Sequence, residues 1–273
     1  MARTRRGLSM NTATLGFQWP LSQTIAACAR AGLGGIAPWR REFAAIAPRD
    51  ARRQAADAGL AVTCLCRGGY LTHDGAAQRA AVIADNRRAI EEAAELGAPA
   101  LCIVVGSLPD LAAARRQVAD VLGELAPHAA ACGVRLAVEP LHPIYAADRS
   151  CINTLATALD ICDAVGGGVG VMIDTYHLWW DPALAAGLRR AGAARLHGWQ
   201  IADWRAPLRD MLMDRGMIGD GVIDFAAIEA MVREAGWTGL TEVEIFSDDW
   251  GRRDPAETLR VVAERFAALP APQ

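Results

Sequence analysis

Eight times along the chain a short, apolar, β-branched run is followed by a longer segment rich in Ala, Leu and Arg, and this alternation restricts the fold more than any other feature. The runs lie near 8–12, 35–37, 61–65, 101–105, 135–138, 170–173, 195–201 and 241–245. Helical patterns fall near 21–31, 45–58, 76–96, 110–132, 152–165, 182–191, 225–235 and 255–268. Several stop at a glycine, as in Ala31-Gly32, Ala58-Gly59, Leu96-Gly97, Cys132-Gly133 and Ala235-Gly236, the usual end signal of a helix. Strands separated by helices pair in parallel, and eight such units are the count of one closed barrel. The expected fold is therefore α/β, a single (β/α)8 TIM barrel. No Pro/Gly/Ser-rich linker divides the chain, so one domain is expected over residues 1–273.

Composition removes several functions. All 28 basic residues are arginine, and without lysine neither Schiff-base catalysis nor a P-loop can operate. A net charge of −3 argues against a nucleic-acid-binding surface, which needs a concentrated basic face. No apolar run approaches the roughly 18 residues of a membrane helix. The basic start at residues 1–6 is not followed by the apolar stretch of a signal peptide. A cytoplasmic protein without membrane or nucleic-acid partners is expected. The seven cysteines are scattered; Cys64 and Cys66 alternate on a strand without the second pair of a zinc site, and read as reduced core thiols.

In parallel barrels the functional groups project from the C-terminal ends of the strands. Four consecutive strands end in a residue able to bind a metal: Glu139 after Leu136-Ala137-Val138, Asp174 after Val171-Met172-Ile173, Gln200 after Gly198-Trp199, and Glu244 after Glu242-Val243. One carboxylate after a strand is often a helix cap, but four polar ends in succession around one rim converge on one point. Three carboxylates and an amide oxygen form an all-oxygen set, suited to one divalent metal ion, Mn2+ first and Mg2+ or Co2+ as substitutes. Such an ion polarises a carbonyl and stabilises an enediolate, and a carboxylate can be the base that removes the proton. Glu139 and Glu244 are the catalytic candidates, one for each face of a substrate.

These stretches, Glu139-Pro140-Leu141-His142-Pro143, Ile173-Asp174-Thr175-Tyr176-His177, Gln200-Ile201-Ala202-Asp203, Gly219-Asp220-Gly221-Val222-Ile223-Asp224 and Glu242-Val243-Glu244, resemble the sugar phosphate isomerase/epimerase family of xylose-isomerase-like barrels over nearly the whole chain. The resemblance implies that Glu139, Asp174, Gln200 and Glu244 bind the metal and that the two glutamates exchange protons with the substrate. Hydroxypyruvate isomerase and bacterial 3-dehydroshikimate dehydratase carry Gln in the third ligand position, as here. His177, three residues after Asp174, stands where the family places a substrate-binding histidine. Arg205 follows Gln200 by five positions, where the epimerases have an arginine after six. Barrel endonucleases acting on abasic DNA use many histidines for three zinc ions; this chain has five histidines and Gln200 in a ligand position.

His142, three residues after Glu139, and Arg67, after the third strand, complete the expected substrate contacts. Gly166-Gly167-Gly168 precedes the sixth strand, on the rim opposite the site, so it is not the usual phosphate cradle of such barrels. After the seventh strand a long connection, 203–221, carries Leu208, Met211 and Leu212 at helical spacing, and a short amphipathic helix over the barrel mouth is expected. Met-rich faces also serve subunit contacts, which leaves a homo-oligomer open. The leading function is metal-dependent isomerisation or epimerisation of a ketose or related hydroxycarbonyl sugar. The alternative is a lyase, a dehydratase or an elimination on a 3-keto sugar of the C-glycoside deglycosidase type.

Overall fold

All eight apolar runs form strands of one parallel sheet in the computed structural model, which describes residues 3–146 and 148–270. The strands are β1 (Leu8–Asn11), β2 (Gly35–Ala37), β3 (Ala61–Val62), β4 (Leu65–Gly69), β5 (Ala100–Val104), β6 (Arg135–Val138), β7 (Val169–Asp174), β8 (Leu196–Ile201) and β11 (Thr241–Val243). Their order is β3-β2-β1-β11-β8-β7-β6-β5-β4, and β3 and β4 are consecutive pieces of one strand, so the row returns on itself as a nearly closed barrel. The third strand breaks where it passes Pro38, which has no N–H to offer; pairing resumes at a bridge between Trp39 and Cys66. A separate ribbon of β9 (Asp203–Trp204) and β10 (Arg215–Gly216) lies in the connection after β8.

Among the described residues eight helices cover the barrel, α1 (Leu21–Arg30), α2 (Pro48–Asp57), α3 (Ala76–Leu96), α4 (Leu111–Ala131), α5 (Leu155–Val165), α7 (Leu184–Arg195), α8 (Phe225–Glu234) and α10 (Pro255–Ala268). Polar caps start several of them: the side chains of Asp110, Thr154, Asp224 and Asp254 each accept a backbone N–H of the first turn. Two single-turn helices, α6 (Thr175–Leu178) and α9 (Asp248–Gly251), begin at Asp174 and Ser247, directly beyond the strand ends.

Period-two alternation divides the strand residues between two cores. Leu101, Ile103, Leu136, Val138, Val171, Ile173, Trp199 and Val243 point outward and pack with the helices. Ala37, Cys64, Cys66, Ala100, Cys102, Ala137 and Met172 form a separate cluster inside the barrel. These inner residues are mostly small, and Met172 fills the space facing Gly198, where an added Cβ would lie 2.2 Å from its sulfur. All seven cysteines are free; Cys64 and Cys66 are buried, as expected of core thiols, and Cys132 alone is half-buried. Among the described residues no helix is long and apolar enough to cross a membrane.

Candidate active site

The same alternation that points Ala137, Met172 and Gly198 inward does so for Glu139, Asp174 and Gln200 two residues later. Asp174 and Gln200 stand opposite each other in the β7–β8 register, and Gln200 stands opposite Glu242 in the β8–β11 register. All of these side chains, with Glu244, are buried. Glu139, Asp174 and His177 bring one donor atom each within 4.8 Å of one another. His177 Nε2 is 3.8 Å from Glu139 Oε1 and 3.9 Å from Asp174 Oδ2.

Two residues that the sequence reading passed over organise this cluster. Glu242, two positions before Glu244 and so on the same face, accepts hydrogen bonds from Gln200 Nε2 at 2.7 Å, Asn11 Nδ2 at 2.9 Å and Thr63 Oγ1 at 2.7 Å. Asn11 Nδ2 also donates to Glu244 Oε1 at 2.9 Å, and Trp39 Nε1 fixes the Asn11 carbonyl at 2.7 Å. Arg215, on β10, reaches back from the ribbon: its Nη1 donates to Asp174 Oδ2 at 2.8 Å and to Glu244 Oε2 at 3.1 Å, and its Nη2 is 3.2 Å from His177 Nε2. Alternation alone could have found Glu242. Arg215 lies 41 residues from Asp174 in a connection without periodic pattern, and nothing local marks it.

Burial dominates the electrostatics. It pushes the Glu139 carboxyl up to about 8, with the neighbouring Asp174 adding and Arg215 opposing. Glu244 is raised well above the ordinary carboxylate range and Asp174 is raised, both chiefly by burial against the pull of Arg215. His177 is driven the other way, held neutral by burial and then by Arg215. Three desolvated carboxyls thus face one guanidinium, an arrangement that a divalent cation would draw into the ionised form. The donor set fits such an ion. Glu139 Oε1 and Gln200 Oε1 are buried oxygens with no hydrogen-bond partner, while the other end of the Gln200 amide is held by Glu242.

A cavity of about 120 Å³ opens above this cluster, lined among others by Glu139, Glu244, His177, Arg215, Arg67 and Arg149. Arg67 is on the cavity wall. His142 lies behind His177 instead of on the cavity wall: its backbone N–H donates to His177 Nδ1 at 3.2 Å, and its ring packs 4.5 Å from the Trp204 ring centre and 5.6 Å from that of Trp180. Arg205 is turned away, with Nη1 3.0 Å from Asp214 and 2.7 Å from Asp249, and does not line the cavity.

The expected helix over the mouth is absent; the segment is a strap carried by the β9–β10 ribbon. Pro207 cannot donate to a helical ladder, and the Asp210 carboxylate captures the N–H groups of Leu212 at 2.8 Å and Met213 at 2.7 Å, closing a tight turn. Leu212 lines the cavity, but Met211 is 47% exposed, so the two do not share one inward face. At its tip the strap is fastened from below: Tyr145 and Tyr176 both donate their hydroxyls to the Met211 carbonyl, the latter at 3.1 Å. Its return is fixed by the buried Asp203 carboxylate, which accepts from Gly219 at 3.0 Å, Gly221 at 2.8 Å and Ile223 at 3.1 Å.

A parallel barrel with carboxylates gathered at the C-terminal strand ends is the architecture of the barrel enzymes. The family model of the xylose isomerase-like TIM barrel matches residues 25–268, and the chain belongs to that family. A crystal structure of a protein from Sinorhizobium meliloti 1021 is 48% identical, covers 95% of this chain and 97% of its own, and superposes with a TM-score of 0.92. An inosose isomerase of Bacillus velezensis is 28% identical over 159 residues, 57% of this chain and 55% of that protein. A 3-dehydroshikimate dehydratase of Pseudomonas aeruginosa is 26% identical over 260 residues, 88% of this chain and 38% of that protein. The chain thus spans about half the length of the inosose isomerase and less of the dehydratase.

Proposed function

We propose that the chain is one domain that binds a single divalent metal and interconverts a ketose, or a related hydroxycarbonyl sugar, with its isomer or epimer through an enediolate. The observation that carries this reading is that Glu139 and Glu244, both buried and both raised in proton affinity, line the same small cavity beside Asp174 and His177. Glu139, Asp174, Gln200 and Glu244 would hold the ion, with His177 close enough to share in the cluster. Mn2+ leads for an all-oxygen set, with Mg2+ or Co2+ as substitutes. Bound there, the ion would polarise the substrate carbonyl and stabilise negative charge as the adjacent carbon loses its proton.

The remaining work belongs to the side chains. Glu139 or Glu244 removes the proton from one face and the other returns it, since both carboxyls line the cavity that would receive the substrate. Asn11 and Glu242 hold Glu244 and Gln200 in place, and Arg215 spans Asp174 and Glu244. His177 and Arg67 contact substrate oxygens, while His142 acts through His177 and Arg205 steadies the strap through Asp214. The similarity to an inosose isomerase supports the isomerase reading, and that to a dehydratase keeps elimination in view.

One experiment separates these. The metal-loaded protein is incubated with ketoses and 3-keto glycosides in D2O and the products are read by mass spectrometry. Isomerisation conserves the mass apart from exchanged deuterium, whereas elimination loses water or an aglycone. Full activity after chelation would overturn the metal reading.

A further inference from the structure

Arg67 and Arg149 stand out from the other arginines at the mouth of the cavity. Arg67, on β4, places Nη2 3.2 Å from the Tyr70 hydroxyl, and Arg149 places Nη2 3.4 Å from the same oxygen. Both line the cavity that Glu139, Glu244 and His177 line. Among the described residues neither has a carboxylate within ion-pairing distance, although Arg40, Arg205, Arg209, Arg215 and Arg233 all do. Two guanidinium groups gathered on one phenol repel each other, and no acidic side chain relieves them.

Their placement is built in. Arg67 Cζ lies over the Tyr70 ring, 4.5 Å from its centre. The Arg149 backbone is tied at both ends, its N–H to the Tyr145 carbonyl at 2.9 Å and its carbonyl to the Gly106 N–H at 3.0 Å. Arg149 and His177 line the same cavity. Deeper in the cavity, Asp174 and Glu244 are engaged by Arg215, and the two mouth arginines are left without an ion-pair partner among the described residues. Paired guanidinium forks bind the oxygens of carboxylates and phosphates through charge-assisted hydrogen bonds.

We infer that the substrate bears an anionic terminal group, a carboxylate or a phosphate, held by Arg67 and Arg149 at the mouth while its hydroxycarbonyl end lies between Glu139 and Glu244. This rests on the proposed function for the site and narrows its substrate class. The anion would also set register: a ligand fixed at the mouth presents a defined carbon to the two glutamates.

The test is a calorimetric titration of the metal-loaded protein with five- and six-carbon 2-keto sugars, each as the neutral sugar, its terminal phosphate and its terminal carboxylate. At least one anionic member should bind about tenfold or more tightly than its neutral parent, and R67Q and R149Q should each lower that ratio about tenfold. Taking a ratio removes general damage to the fold, and R149K, which keeps the charge but loses the fork, should fall between. Phosphate and carboxylate members report which anion is meant. Equal or tighter binding of the neutral sugars, an anion preference unchanged in both variants, or no anionic member binding at millimolar concentration would each overturn the inference. Mass spectrometry of the same samples keeps the two readings apart. Arginine-dependent binding of an anionic sugar without turnover would remove the isomerase reading alone, and turnover confined to neutral sugars would remove this one alone.

Discussion

Replacing Glu242 with glutamine should make the metal-free protein more stable than the parent at pH 8 and leave it nearly unchanged at pH 5. Burial raises the Glu242 carboxyl to about 7, against an ordinary 4.5, although hydrogen bonds from Asn11, Gln200 and Thr63 pull it down. A carboxyl that holds its proton more tightly folded than unfolded contributes stability that is fully present below about 4.5 and is lost as pH rises toward 7. The shift of about 2.5, at roughly 1.4 kcal/mol per unit, sets a ceiling of roughly 3 kcal/mol. Relaxation of the surrounding dipoles brings the expected difference to about 1–2 kcal/mol. Glutamine escapes the loss because it never ionises, and its polar atoms remain satisfied. The amide oxygen takes the Asn11 and Gln200 donors, and the amide nitrogen donates to Thr63 Oγ1, whose own proton turns to Ser9 Oγ at 2.8 Å. Urea unfolding with chelator at pH 5, 6, 7 and 8 reads the effect. The variant's midpoint should pull ahead by about 0.5 M at pH 8, for a slope of roughly 3 kcal/mol per M. Parallel pH profiles for the two proteins would refute the reasoning, and a variant less stable at every pH would show that the charged form is what the interior requires.

The remaining predictions concern the site and its cover. E139Q and E244Q should each lower kcat by about a hundredfold to ten-thousandfold in steady-state assays on the substrate found by screening, with near-parental circular dichroism. Y145F and Y176F each remove one hydroxyl from the Met211 carbonyl and should cost about 1 kcal/mol of local stability, seen as faster hydrogen exchange at 208–214 with little change in the global melt. G198A forces a methyl group against the Met172 sulfur inside the barrel and should cost about 1–3 kcal/mol in urea unfolding.

How much of this was legible in the sequence depends on which interactions are local. The barrel could be read because each strand announces itself by its own apolar run, and the turn of Glu139, Asp174, Gln200 and Glu244 into the barrel interior follows from period-two alternation. The strap was misread because the spacing of Leu208, Met211 and Leu212 was weighed without Pro207 and the Asp210 turn, which override it. Arg215, Arg149 and Asn11 acquire their roles from partners across the barrel, such as Glu244 at a separation of 29 residues from Arg215 and 233 from Asn11. His142 was assigned to the mouth from its spacing after Glu139, but its neighbouring tryptophans hold the ring behind His177.

The fastening of the strap has a consequence for how this protein can diverge. Two tyrosines from separate single-turn helices grip a main-chain carbonyl, an atom that every amino acid supplies, while residue 211 is itself exposed. Drift at that position is therefore invisible to the fastening, and related chains can change Met211 freely while keeping the cover in place. The selective burden falls instead on Tyr145 and Tyr176, whose rings also pack against His177 at 5.7 Å and 5.3 Å. A mutation in either would loosen the cover and disturb the site floor together, so tolerance to change is expected at the tip and not at the pair beneath it.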